Sequence, residues 1–323
     1  MHSALFTPLI AATLALGAAA VHAQAAFPSA PVKLVVPYVP GGLPDTVARI
    51  LSQRLQVSLG QPVVVENKPG ASGAVAAAAI AQAPADGHTL LLTDGQLLAI
   101  TPLLQSKPTY DATKDFVPVS LVGTAPLFLA VNTNVKATNL DELIALAKSK
   151  PGALNYGSAG IGSPHHLTAE AMKEGLGIFL THIPFRGSGA SMPAMVGGQV
   201  DMVFASPPSL MGFVKSGQAR LIAINAGKRS ALAPDVPALA EKIPGFDFAF
   251  TVVVLAKTGT PAAAVTKLSQ AIAAAVKQPE VAEALRIAGV DPIGGSPDDL
   301  SKAMRAEGVR VVAAAKRANL KAE

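Results

Sequence analysis

The chain has 323 residues, of which 50% are hydrophobic and 15% are charged, and it contains no Cys and no Trp. This length fits two domains better than one, and the composition is too apolar for a disordered chain. The lack of Cys excludes disulfide scaffolds, thiolate metal sites and cysteine nucleophiles, while a mild net charge of +5 gives no reason to expect a nucleic-acid partner.

The first 23 residues carry no Lys, Arg, Asp or Glu, and residues 5–20 form an apolar run that is short for a membrane span. The run ends in Val21-His22-Ala23, which has small residues where a signal peptidase cleaves. We therefore expect a cleaved signal peptide at residues 1–23 and a periplasmic protein. The alternative is a short anchor that is never removed.

From residue 32 onwards, short β-rich runs alternate with stretches of helical periodicity. In the first half we expect strands at 32–38, 61–66, 89–93, 116–122 and 127–132, and helices at 45–59, 73–83 and 140–149, the last capped by Thr138 or Asn139. In the second half we expect strands at 154–157, 181–185, 200–205, 220–225 and 251–255, with helices at 164–174, before 197–198, and at 262–277, 279–288 and 297–318. No strand is expected after residue 255, so the C-terminal helices should pack back onto an existing lobe.

Strands separated by helices predict parallel βαβ units with helices on both faces of each sheet. Two such sets predict an α/β fold of two lobes.

Catalytic motifs are missing from the sequence: there is no H-E-x-x-H, no G-x-S-x-G and no G-x-x-x-x-G-K-[ST]. His165 and His166 are adjacent, so on a helix they point about 100° apart, which is a poor geometry for sharing a metal. We expect no metal, no cofactor and no catalytic residue.

Two glycine-bearing turns, residues 37–45 (PYVPGGLPD) and 156–164 (YGSAGIGSP), each follow a predicted strand and open a predicted helix. In the first, Gly41 and Gly42 would allow unusual backbone conformations, and Pro44 suits the first helical position. Free amides near residues 41–43 would then bind a carboxylate or phosphate. In the second, Ser163 is the expected N-cap, Pro164 the first helical residue, and Ser158 offers a hydroxyl.

Either turn alone is explained by tight βα connections. Two of them, one in each predicted lobe, favour a binding site, because ligands of open α/β sheets lie at the carboxyl ends of the strands. Together with export and the missing catalytic motifs, this pattern is typical of a periplasmic binding protein.

The same segments resemble the Bug family, the extracytoplasmic receptors of tripartite tricarboxylate transporters. The similarity covers nearly the whole chain after residue 31 and is carried by several short motifs: residues 32–45 (VKLVVPYVPGGLPD), 61–70 (QPVVVENKPG), 86–91 (DGHTLL), 110–121 (YDATKDFVPVSL), 157–167, 183–187 (IPFRG), 197–201 (GGQVD) and 235–237.

This resemblance implies a type II, Venus-flytrap binding protein for a small carboxylate, with lobe 1 at residues 24–125 plus about 249–323 and lobe 2 at about 126–248. It also implies permease subunits as membrane partners, and we expect a monomer. Ligand contact falls on the first loop (Tyr38, Pro40, Gly41, Gly42, Asp45) and on the second loop (Ser158, Gly160, Gly162, Ser163).

Further ligand-binding candidates lie at predicted strand ends. Asp94 would meet a ligand amino group or cap its own loop, and Arg186 would neutralise a second carboxylate or form an ion pair. Ser72 and Ser206 are expected to line the cleft, whereas Asp201 is expected to be structural. The sequence departs from the family at Phe250, where a Trp is common, and at 252–254, where a Gly is common, so one pocket wall is expected to be more aliphatic or the strand to pack differently.

Two other functions remain open at this point. One is a secreted α/β hydrolase or isomerase that uses Ser158 or Ser163 with His165 or His166. The other is a binding protein of the same fold that serves an ABC importer or a sensor.

Overall fold

The computed structural model describes residues 27–70, 73–104, 109–185 and 187–320. The strands are β1 Val32–Val36, β2 Val63–Asn67, β3 Thr89–Asp94, β4 Phe116–Ala125, β5 Phe128–Asn132, β6 Asn155–Ser158, β7 Thr181–Pro184, β8 Met202–Ala205, β9 Ala219–Ile224, β10 Phe250–Lys257 and β11 Asp291–Gly295. The helices are α1 Leu43–Leu59, α2 Ala74–Gln82, α3 Gly95–Leu104, α4 Leu140–Ser149, α5 Pro164–Leu176, α6 Ser188–Val196, α7 Pro207–Lys215, α8 Ala262–Val276, α9 Pro279–Ile287 and α10 Pro297–Arg317.

The strands form two separate sheets, which are the centres of two lobes. The first sheet has the order β11-β4-β10-β3-β1-β2 and the second the order β7-β6-β8-β5-β9. In the first, β1 pairs in parallel with β2 and β3, and β10 runs antiparallel between β3 and β4. In the second, β6 pairs in parallel with β7 and β8, and β5 is antiparallel to β8 and β9. The predicted two-lobed α/β fold is confirmed.

The first βα unit shows how the sequence produces this fold. Four of the five β1 residues are buried, as is typical of a strand covered on both faces. Helix α1 turns Val47, Leu51 and Leu55 towards the core at helical spacing. It ends at Gly60, which has φ 68° and donates its N–H to the Gln56 carbonyl. The carboxyl end of β1 is thereby fixed beside the start of α1.

The chain changes sheets between β4 and β5 and returns between β9 and β10, and Asn225 joins both crossings. Its side-chain Oδ1 accepts from the Leu127 N–H at 2.7 Å, and its Nδ2 donates to the Phe248 carbonyl at 2.9 Å. Its own backbone N–H and C=O pair with the same two residues. Asn225 is completely buried, so this polar group is fully committed to the connection between the lobes.

Several element predictions need correction. The expectation of no strand after residue 255 is wrong, because β11 pairs antiparallel with β4 at the edge of the first sheet. Helices α3 and α7 were not predicted. The C-terminal helix α10 does pack on the first lobe, against β4 and α3, but it also contacts α5 of the second lobe. Of the two proposed caps of α4, Asn139 is the one that accepts from the Glu142 N–H.

The predicted leader at residues 1–23 lies outside the described residues. Within the described ranges, no helix combines the length and apolar character that crossing a membrane requires.

Candidate functional site

The loop from Tyr38 to Leu43 connects β1 to α1 at the carboxyl end of the first sheet. Gly41 has φ 87°, a left-handed conformation that favours glycine, whereas Gly42 has an ordinary φ of −72°. The expectation of an unusual conformation is therefore confirmed for Gly41 and wrong for Gly42. Helix α1 begins at Leu43, so Pro44 is its second residue and not its first.

Asp45 holds this loop from inside. Its carboxylate accepts from the Gly41 N–H at 2.9 Å, from Arg49 Nε at 3.0 Å and from Asn67 Nδ2 at 2.9 Å, and Asn67 also donates to the Tyr38 carbonyl. Burial alone would raise the pKa of Asp45, but the hydrogen bonds from Arg49, Gly41 and Asn67 outweigh it and lower the pKa. The carboxylate thus stays ionised and fixes the path of the loop.

Of the three backbone amides at residues 41–43 that were expected to be free, two already have an acceptor within the protein. The Gly41 amide is occupied by Asp45, and the Gly42 amide makes a long bond of 3.4 Å to the Val39 carbonyl. The Leu43 amide, at the first position of α1, has no acceptor among the described residues. This is the N–H that the helix N-terminus leaves for an anion.

Tyr38 and Asp94 meet beneath the loop, because β1 and β3 are adjacent parallel strands. The Tyr38 hydroxyl donates to the Asp94 carboxylate. Burial and the neighbouring Asp94 charge raise the pKa of Tyr38 well above its usual value, so Tyr38 remains a donor at neutral pH. Asp94 is only 2% exposed. Both predicted residues are therefore part of one polar cluster at the carboxyl end of the sheet.

The corresponding loop of the second lobe joins β6 to α5. Ser163 is the N-cap, with its Oγ accepting from the His166 N–H, and Pro164 is the first helical residue, both as predicted. Gly160 and Gly162 have positive φ values of 126° and 74°. Their amides are occupied, by Ser158 Oγ and by His166 Nδ1 respectively.

The Ile161 amide lies between these two glycines and, within the described part of the chain, has no acceptor. Leu43 in the first loop and Ile161 in the second are thus loop amides that have no acceptor in the described part of the chain. The side chain of Ile161 is 56% exposed, which places it at the surface of the loop.

His182 supports the second loop, and sequence analysis did not single it out. Its Nε2 lies 2.7 Å from Ser158 Oγ, and its ring stacks on that of His166 at 4.0 Å between centroids. The β6–β7 register sets Tyr156 opposite His182, and their rings also stack. Burial lowers the pKa of His166 to about 4 and also lowers that of His182, so both rings are neutral at pH 7.

The remaining predicted residues have varied positions. Ser206 is the N-cap residue of α7 and its hydroxyl pairs with that of Ser209. Asp201 accepts from the Asn155 N–H, in agreement with a structural role. Ser72 and Arg186 lie outside the described residues. The Phe250 and Val252 side chains are buried in the core cluster of the molecule.

Within the described ranges, no group of three or more His, Asp or Glu side chains is placed to hold a metal ion. A groove of about 610 Å³ lies beside the first loop, between Pro40, Gly41 and Arg49 on one side and Glu280 and Val281 of α9 on the other. Its lining contains no residue of the second sheet's lobe.

The different conformations of Gly41 and Gly42 give a direct test of the first loop. Gly41→Ala should weaken ligand binding about tenfold, since a left-handed non-glycine residue costs roughly 1–2 kcal/mol. Gly42→Ala is the matched control, because its new Cβ would meet the Val39 carbonyl oxygen at an ordinary 3.6 Å. Calorimetric affinities of both variants check this, and equal losses would mean that the conformation of Gly41 is not what matters.

Two α/β lobes joined by two crossings, with a glycine loop and helix start at the carboxyl end of each sheet, define a two-lobed solute-binding protein of the periplasmic type. Residues 47–320 match the family described as the tripartite tricarboxylate transporter family receptor. The chain belongs to this family.

Named relatives agree with that assignment. Protein BugT of Bordetella pertussis is 37% identical over 284 residues, which are 87% of each chain. The structure of Rpa4515 of R. palustris with adipate has a TM-score of 0.83 at 32% identity, covering 92% of this chain and 100% of that one. MatC of Rhodopseudomonas palustris with bound malate has a TM-score of 0.77 at 32% identity, covering 89% and 99%.

Proposed function

We propose that this protein captures a small carboxylated solute between its lobes and delivers it to the membrane subunits of a tripartite tricarboxylate transporter. The observation that carries this proposal is the pair of loop amides that have no acceptor in the described ranges, Leu43 at the first position of α1 and Ile161 two residues before the N-cap of α5. The Leu43 N–H can bind an anion through the partial positive charge of its helix N-terminus, and the Ile161 N–H can donate to the same anion as a loop amide. The adipate and malate bound by two structural relatives support a carboxylate as the anion.

In this proposal, the other loop residues hold the amides in place. Asp45 fixes the first loop through Gly41, and His166 and His182 fix the second through Gly162 and Ser158. Preorganised donors bind more tightly because less ordering is needed when the ligand arrives. Closure of the lobes would then exclude water and strengthen the hydrogen bonds.

The same proposal includes the cellular setting and the lobe boundaries. Lobe 1 would consist of residues 24–125 and about 249–323 and lobe 2 of about 126–248, which the change of sheet after β4 and after β9 supports. The predicted signal peptide would direct the protein to the periplasm. We propose that it acts as a monomer. The alternative is that the protein serves an ABC importer or a sensor. Copurification with the permease subunits of a tripartite tricarboxylate transporter would distinguish the proposed function from this alternative.

A hydrolase or isomerase is not favoured by the geometry around Ser158. Its hydroxyl is completely buried and is already hydrogen-bonded to the Gly160 backbone and to His182. Ser163 Oγ is likewise engaged, donating to the Gly160 carbonyl at 2.7 Å. The contact of Ser158 Oγ with His182 has the spacing of a nucleophile and its base, but a completely buried hydroxyl is closed to a substrate. We therefore propose binding without turnover.

A thermal-shift screen with adipate, malate, citrate and a neutral sugar tests the proposal, because a ligand that prefers the native state raises its melting temperature. We expect at least one carboxylate to raise the melting temperature and to bind one per chain by calorimetry, with no product after prolonged incubation. A shift by the sugar alone, or turnover of an acid, would contradict it.

A further inference from the structure

Glu307 is a buried acid that the loops described above do not use. It lies in α10, on the stripe of that helix that faces the first sheet together with Leu300 and Val311, and it is 1% exposed. Its carboxyl accepts from the Thr251 N–H at 3.1 Å and makes a short hydrogen bond with the Thr251 hydroxyl. Burying an acid at an otherwise apolar helix position is costly unless the acid is hydrogen-bonded, and these two bonds meet that need.

The carboxyl of Glu307 lies close to Gly95, the residue that follows Asp94 of the Tyr38–Asp94 pair. Thr251 and Val252 of β10 run beside β3, with Val252 opposite Asp94. Gly95 follows Asp94 in the chain and lies against the Glu307 carboxyl. A Cβ at Gly95 would lie 2.3 Å from both Glu307 Oε2 and Thr251 Oγ1. The absence of a side chain at Gly95 therefore lets Glu307 reach the end of β3.

The charges around Glu307 oppose its ionisation. The negative charge of Asp94 raises the pKa of Glu307, and the positive charge of Arg310 in the same helix lowers it. No basic group of the described residues lies within salt-bridge distance of the Glu307 carboxyl. Helix α3 and strand β4, which pack on α10, carry no charged residue, and Lys257 of β10 donates to the Ala83 carbonyl.

On the second lobe, α5 also packs against α10. Its Glu174 pairs with Arg317, its Glu170 with Lys173, and burial keeps His165 and His166 neutral. Burial raises the pKa of Glu307 to about 8, in agreement with this lack of a cationic partner.

We propose that Glu307 is a positioning residue of the ligand site, which in its protonated form fixes the end of β10 and keeps a second negative charge away from Asp94 beneath the Tyr38 loop. This inference rests on the proposed capture of a carboxylate in the cleft. Deprotonation would place two adjacent negative charges below the loop that receives an anion, and ligand affinity would fall. Carboxylate capture then works at neutral pH and weakens in alkali.

The affinity of the full-length mature chain for adipate and malate, measured by calorimetry from pH 6 to 9.5, tests the proposal. If only the protonated form binds, affinity at pH 9 is up to about tenfold lower than at pH 7, since about one site in ten remains protonated. Tyr38 does not titrate in this window, because its pKa is raised well above 10.0. Glu307→Gln, which keeps the shape and cannot ionise, should remove the alkaline loss while preserving affinity at pH 7. Asp298→Asn, an exposed acid of the same helix, is the control and should behave like the wild type.

The melting temperature without ligand gives an independent measurement. A raised folded-state pKa means that stability is complete below the unfolded value of about 4.5 and is lost as pH rises through about 8. The wild type should therefore melt progressively lower than Glu307→Gln between pH 5 and 8, and the difference should level off above that. The melting temperatures test the protonation of Glu307 without any ligand. A pH-dependent difference in melting temperature with no binding of adipate or malate would therefore count against the proposed function and not against the protonation of Glu307.

Identical pH profiles of affinity in the wild type and in Glu307→Gln would overturn the proposal, and would leave Glu307 with a packing role only. If Glu307→Gln does not fold, Thr251→Val replaces it. Loss of the Thr251 hydroxyl removes a hydrogen bond that lowers the pKa of Glu307, so the alkaline loss should move to higher pH. An unmoved profile in Thr251→Val would count equally against the proposal.

Discussion

Asp45→Ala is expected to reduce carboxylate affinity about a hundredfold while leaving the protein folded. The substitution removes the acceptor of the Gly41 N–H and the partner of Arg49 and Asn67. Hydrogen bonds to a charged group contribute about 1.5–3 kcal/mol each, and a loss of about 3 kcal/mol from the loop corresponds to roughly two powers of ten in affinity. Calorimetry with the acid found in the screen measures the effect.

Two further variants show whether the loop geometry is the cause. Asp45→Asn keeps the size but turns an amide donor towards Arg49 or Asn67, so an intermediate loss is expected. Asp141→Ala is the matched control, because Asp141 also lies in a first helical turn but is exposed and, among the described residues, forms an ion pair only with Lys242. Wild-type affinity in Asp45→Ala would show that the first loop does not hold the ligand.

Many of the strands and helices could be predicted because their sequences show clear hydrophobic periodicity. Strands β1, β3 and β10 are short apolar runs, and α1 and α4 have apolar residues at helical spacing with clear start signals. These elements are fixed mainly by local pattern and burial, so single-sequence reasoning finds them.

The missed elements are those in which tertiary contacts override the local pattern. Helix α3 (GQLLAITPLL) is apolar with no polar face, α7 begins with two prolines, and β11 (DPIGG) contains one proline and two glycines. Strand β11 exists because the exposed edge of β4 offers it hydrogen bonds. No propensity in the sequence indicates that pairing.

In the candidate site, sequence analysis found the loops but not their supports. Glycines and prolines mark βα turns directly, whereas Asn67 and His182 reach the loops only through strand pairing. Glu307 did leave a signal, since it interrupts the apolar stripe of Leu300, Val311 and Ala314 at helical spacing. An acid at such a position is expected to be buried, but its partner Thr251 is set by the packing of α10 on β10, which no local pattern indicates.

Asn225→Ala is expected to destabilise the protein by about 3–5 kcal/mol, because the Leu127 N–H and the Phe248 carbonyl lose their partners in a fully buried place and each such loss costs about 1–3 kcal/mol. The Thr168 hydroxyl, 3.3 Å from the Asn225 Nδ2, also loses a contact. A drop of about 10 °C in melting temperature is expected. Asn134→Ala is the control, as its side chain is exposed and makes no hydrogen bond within the described ranges, and it should melt like the wild type.

The position of Asn225 makes this loss different from an ordinary core defect. Leu127 lies in the first crossing between the lobes and Phe248 in the second, so one side chain ties together the two segments about which the lobes would move in the proposed closure. The proposed closure would require these segments to bend without separating, and a side-chain amide that serves both crossings would keep them together during that motion. Asn225→Asp retains the acceptor for Leu127 but loses the donor to Phe248 and adds a buried charge, so it should be at least as damaging as alanine. If Asn225→Ala melts with the wild type, the crossings are held by their backbone pairing alone.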